Sequence, residues 1–116
     1  MLNKPPFHEL QVMHATVCQA IADPIRIALL YELREDAKHV TEMVETLGLP
    51  QATVSRHLKI LRDQNLVATD RQGSYIYCSL ADERVIEALD IMRNVLTDTL
   101  NHRYSIAQQT TFQAST

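Results

Sequence analysis

The chain has 116 residues, 46% of them hydrophobic and 22% charged, with a net charge of −3. These values fit one globular domain, and with aromatics at 5% and no Trp its core must be mainly aliphatic. They exclude a wholly disordered chain, which needs low hydrophobicity and high net charge, and only two glycines argue against a turn-rich sandwich or barrel.

Residues 1–6 read as a short flexible tail closed by Pro5-Pro6. From Phe7 the period becomes helical: Leu10, Met13, Val17 and Ile21 recur at steps of three and four, a single stripe. Asp23-Pro24 then suits an N-cap followed by the first helical position, so a second helix starts there. Ile25, Leu29 and Leu33 form its stripe, widened by Ile27 and Leu30, and its end is expected near Glu35–Lys38. A short third helix carries Val40, Met43, Val44 and Leu47 and stops at Gly48. Pro50 opens a fourth, with Val54, Leu58 and Leu61 inside and Thr53, Arg56, Lys59 and Arg62 mostly outside, ending near Asn65.

The period next changes to two. Leu66–Thr69 and Tyr75–Leu80 read as strands, joined by a turn over Asp70–Ser74 with Arg71 at its tip. From Asp82 the helical period returns with Val85, Leu89, Met92, Leu96 and Leu100, flanked by Ile86, Ile91 and Val95. After Tyr104 the period is lost, so residues 105–116 are expected to be a flexible polar tail and 7–104 the domain. The fold class is therefore mainly α with a small β-hairpin: five helices and a two-stranded wing, a winged helix-turn-helix.

The charge is unevenly placed. Residues 50–72 carry four cations against two anions, a net of +2, which leaves −5 on the rest. A charged outer face on an ordinary core helix would explain that strip. The hairpin directly downstream favours DNA instead, because a helix fits the major groove and a hairpin reaches the backbone beside it. Gln51 and Arg56 can make paired bonds to base edges, while Thr53, Ser55 and Lys59 suit phosphates. One reading helix contacts few base pairs, so a homodimer through the first and last helices is expected, using Leu10, Val17, Leu89, Met92 and Leu96. Operator DNA and a second copy are then the partners. A winged-helix protein-interaction module without DNA binding is the competing class.

Other classes find little in the sequence. No Gly-rich phosphate loop, nucleophile–base pairing or paired carboxylates suggest an enzyme or a cofactor. No apolar run is long enough to span a membrane, and MLNKPPFHEL lacks the apolar core of a signal peptide. Cys18 and Cys78 form no C-x-x-C pattern, so a reduced cytoplasmic setting is expected.

The stretches AIADPIRIALLYEL, LGLPQATVSRHLKILRDQNLV and RQGSYIYCSL resemble the ArsR/SmtB-type bacterial metal- and stress-sensing repressors, over roughly residues 10–100. The resemblance implies a homodimeric winged helix that binds an operator and is released by an inducer. It places base and phosphate contacts on Gln51, Ala52, Thr53, Ser55 and Arg56, with His57 beside them and Arg71 and Gln72 at the wing. The family's metal sites carry over poorly. A Cys-x-Cys pair falls on His39-Val40-Thr41, and a site on the last helix falls on Asp82, Arg84, Val95 and Asp98. Arg and Val cannot replace imidazoles, so no metal site is expected. His8, His14 and His102 have no chelating spacing. Cys18 and Cys78 remain as candidate sensing thiols, or as small buried hydrophobes.

Overall fold

The computed structural model describes residues 3–114, and the side chains of residues 3–109. One compact unit ends at Glu83 and a second begins at Arg84.

In the first unit a continuous helical run comprises α1 (Phe7–Met13), a π-helical turn (His14–Cys18) and α2 (Gln19–Ile21). Thr16 Oγ1 donates to Val12 O at 2.7 Å at this turn, a back-bond that competes with the helix ladder. Leu10, Met13 and Val17 are exposed or half-exposed, and within this run only Ala20 is buried. Asp23 caps α3 (Pro24–Glu32) through Oδ1, which accepts from the amides of Ile25 and Arg26 at 2.8 and 3.3 Å.

Helix α3 ends at Glu32, earlier than the sequence period suggests. The reason is a strand that periodicity over two residues cannot reveal: β1 (Lys38–His39) pairs antiparallel with the second hairpin strand, Tyr75–Leu80. The wing is therefore three-stranded, in the order β1-β3-β2. His39 also starts α4 (Val40–Leu47): its Nδ1 accepts from Thr41 N at 3.2 Å, and Glu42 accepts from His39 N at 3.2 Å. Gly48 ends α4 at φ 65°, where glycine has no Cβ to clash. Leu49 and Pro50 then lead into α5 (Gln51–Asp63).

Strands β2 (Val67–Gln72) and β3 (Tyr75–Leu80) pair from Val67↔Leu80 to Gln72↔Tyr75. The turn is the pair Gly73-Ser74, so Arg71 and Gln72 lie on the strand and not at the tip as expected. The core of this unit includes Leu29, Leu30, Met43, Val54, Leu58, Leu61, Leu66, Val67 and Cys78. Each buried Leu contributes about 1.5–3 kcal/mol.

The second unit is α6 (Arg84–Ala114). It runs through residues 105–114, where the sequence suggests a flexible tail. Losing the apolar period does not stop a helix; a breaker does, and no Gly or Pro follows Gly73. Residues 115–116 of that expected tail, like 1–2 of the first, lie outside the described residues. Val85, Ile86 and Leu89 are buried, while Ile91, Met92, Val95, Leu96, Leu100, Tyr104 and Ile106 are all exposed.

Candidate nucleic-acid interface

Helix α5 is amphipathic in the sense that matters here. Val54, His57, Leu58 and Leu61 point inward, and Gln51, Ala52, Ser55, Arg56 and Lys59 stand in solvent, with Thr53 half-buried at the edge. The exposed set is the one the sequence assigns to DNA, with one correction. His57 is 6% exposed and cannot meet a ligand on the outer face. Its Nδ1 lies 3.0 Å from Arg26 Nη1. A histidine directly after Arg56 looks like part of a basic face, but one residue is a turn of about 100° on a helix and carries it into the core.

Lys59 is exposed and donates to Asp63 Oδ2 at 2.8 Å, one helical turn along. That hydrogen bond holds the Asp63 carboxyl below the usual carboxylate range against a small opposing effect of burial. Exposed pairs of this kind contribute little to stability, so the lysine can exchange partners at little cost.

The wing stands beside α5. A cleft of about 220 Å³ is lined by His39, Val40, Thr41, Gln51, Ser55, Ser74 and Ile76, which joins the starts of α4 and α5 to the hairpin turn. Thr41 and Ser74 are absent from the residues that the sequence assigns to DNA contact. No pattern marks them, because the sheet register alone brings Ser74 there. The His39 ring meets Tyr75 edge-on at 4.6 Å and Tyr77 at 5.7 Å, so the hairpin is braced on the cap of α4. Arg71 pairs with Ile76 across the ladder, and Gln72 Nε2 donates to Asp70 Oδ2 at 3.3 Å.

Cys78 sits opposite Lys38 on the β1–β3 ladder and is 1% exposed. Burial pushes its thiol up, and the Arg62 charge only partly offsets this. Cys18, at the end of the π-helical turn, is half-buried. At the family's metal positions His39 uses Nδ1 as a helix cap, Thr41 offers no thiol, and Arg84 and Val95 offer no ligand atom suited to a metal. Leu89, expected at a dimer interface, is 4% exposed in a single chain and has little surface to offer; Leu10, Val17, Met92 and Leu96 do have it. Among the described residues no helix is long and apolar enough to cross a membrane.

Residues 23–69 match the model of the bacterial regulatory protein, arsR family. The transcriptional repressor SmtB of Mycobacterium tuberculosis is 38% identical over 81 residues, covering 70% of this chain and 60% of the relative; the chain thus spans about three fifths of that repressor's length. The nodulation protein NolR of Rhizobium meliloti is 33% identical over 94 residues, covering 81% of this chain and 77% of NolR. Among solved structures, a homodimeric winged helix-turn-helix DNA-binding domain from Mycobacterium bovis superposes with a TM-score of 0.72 at 25% identity, covering 88% of this chain and 95% of that one. With the helix-turn-helix over α4 and α5, the adjoining wing and relatives named as repressors and regulators, the chain belongs to the arsR family of bacterial regulatory proteins.

Proposed function

We propose that the chain is a transcriptional repressor that binds operator DNA as a homodimer in the cytoplasm and is released by an inducer. One observation carries this reading: Gln51, Ser55, Arg56 and Lys59 stand exposed on a helix whose opposite face is buried, beside a hairpin bearing Arg71. Donors and acceptors on one exposed face suit base edges and phosphates together. The apolar residues left exposed on α6 and on the first helix support a second copy as the partner, as does the homodimeric state of the Mycobacterium bovis domain. Two reading helices would then engage half-sites about one helical turn, ~34 Å, apart. The reading needs no cofactor and no catalytic residue.

The inducer is proposed to act through a thiol. Cys18 is the more accessible of the two, because Cys78 is buried and its thiol is pushed up. The test is a shift assay on the chain's own promoter fragment across a salt series. Specific, salt-sensitive retention supports the reading. Retention equal to that of an unrelated fragment at every salt concentration points to the protein-interaction class.

A further inference from the structure

Arg26 ties three elements together. Its Nε donates to Ala20 O at 2.6 Å and its Nη2 to Gln19 O at 3.0 Å, both carbonyls of α2. Gln19 O also accepts from the Ala22 amide at 3.3 Å, and a cation complements the carbonyls at a helix end. Its Nη1 reaches His57 Nδ1 on α5 at 3.0 Å. A guanidinium carries donors only, so Nδ1 must be the acceptor and the ring proton must sit on Nε2. The ring is therefore neutral in this arrangement.

Arg26 and Asp23 are the ionised groups coupled to His57, one positive and one negative. Burial works to raise the Asp23 pKa, but the amides of Ile25 and Arg26, with positive charge on His57 when protonated and on Arg26, hold it below its ordinary value. Helix α2 carries no ionisable side chain; on α3, Tyr31 and Glu32 are half-buried, with Glu32 paired to Lys38 at 3.0 Å; and Glu42 and Glu45 of α4, Arg56, Lys59, Arg62 and Asp63 of α5, and Asp70 and Arg71 of β2 are exposed to solvent. A proton on Nδ1 would turn the acceptor into a donor aimed at a donor. It would also place a second cation beside the Arg26 guanidinium.

We propose that Arg26 and His57 form a proton-sensitive latch that positions the reading helix α5 against the end of the first helix, and that protonation of His57 opens it. The consequence for DNA rests on the repressor reading; the chemistry of the latch does not. Both residues are positioning residues, since neither is exposed on the outer face of α5.

The experiment combines ring-nitrogen NMR of the full chain with binding to its own promoter fragment between about pH 8 and about pH 5. The wild type, His57→Asn and Arg26→Gln are compared. The wild type should show the Nε2–H tautomer near neutrality and lose about tenfold more affinity on acidification than His57→Asn, which keeps an acceptor but cannot take the proton. His8, His14, His39 and His102 are present in both proteins, so their contribution to the comparison cancels. Arg26→Gln keeps a donor and removes the charge, so its His57 ring should titrate at higher pH than in the wild type. A proton on Nδ1 near neutrality, an unmoved titration in Arg26→Gln, or superimposable pH profiles for wild type and His57→Asn would overturn the latch. If no variant binds the promoter at any pH, the repressor reading fails while the ring titration still decides the latch. If His57→Asn does not fold, the Arg26→Gln comparison decides it alone.

Discussion

The amide of Leu66 donates to the carbonyl of Leu61 at 3.0 Å, and Asn65 N donates to Arg62 O at 2.9 Å. Together these two bonds close the end of the reading helix in the Schellman pattern and aim the chain into β2. The pattern needs a left-handed residue, and Asn65 supplies it at φ 59°. Asn tolerates that region better than other residues with a Cβ, but glycine does so at least cost. Asn65→Val should therefore lower stability by ~1–2 kcal/mol, with Asn65→Gly near neutral. Denaturant melts of the two variants check this, and equal stabilities would show that the backbone rearranges there.

Arg56 makes no contribution to the core, since it is exposed while its neighbours His57 and Leu58 are buried. Arg56→Ala should weaken specific binding by ~1–3 kcal/mol if the guanidinium makes a paired base contact, and leave thermal unfolding unchanged. Operator affinity equal to the wild type in the folded variant removes Arg56 from the reading set.

Arg71 is held on a paired strand, with Gln72 between it and the Gly73-Ser74 turn. A phosphate contact from there is blind to sequence. Arg71→Ala should weaken binding to operator and unrelated DNA alike, and the slope of log affinity against log salt should fall by ~1 for each phosphate left without its arginine. An unchanged slope would mean that the wing hangs clear of DNA.

Much of this arrangement is legible in the sequence because local chemistry dictates it. Asp23-Pro24 and Gly48 mark helix ends that any chain with those residues would favour, and Val54, Leu58 and Leu61 name the buried face of α5 outright. What is not legible depends on partners distant in sequence. Strand β1 is two residues long and exists because β3 offers it a ladder. The partner of the inward-turned His57 is Arg26, thirty-one residues earlier. The length of α6 is set by the absence of a breaker, which a search for apolar period overlooks.

Helix α6 leaves Ile91, Met92, Val95 and Leu96 exposed within two turns, an apolar patch of the kind that marks an interaction surface. Leu96 is 56% exposed, so Leu96→Asp costs little within one chain. Against a partner it would bury a charge without a counter-ion. The variant should sediment as a monomer and lose operator binding, with its helical signal retained. A wild type that is monomeric at micromolar concentration would remove the dimer and the paired half-sites with it.

The two thiols should differ sharply in reactivity. Cys78 is buried on the sheet and its thiol is pushed up, so at neutral pH it is protonated and shielded. Cys18 is half-buried at the end of the π-helical turn. A thiol reagent should therefore label one cysteine per folded chain quickly, and Cys18→Ser should abolish that fast phase, with Cys78 reacting only on unfolding. Equal rates at both thiols would mean that the sheet opens readily around Cys78. An inducer that works through sulfur must then act first at Cys18. The double variant Cys18→Ser, Cys78→Ser should stay on the promoter fragment under polysulfide, peroxide or As(III) doses that release the wild type. Equimolar zinc should release neither protein, because His39-Val40-Thr41 offers no thiol and Arg84 and Val95 stand where the last-helix ligands of the family fall. Release by zinc at that stoichiometry would reveal a site assembled from residues of two chains, and His8, His14 and His102 would be the first to substitute.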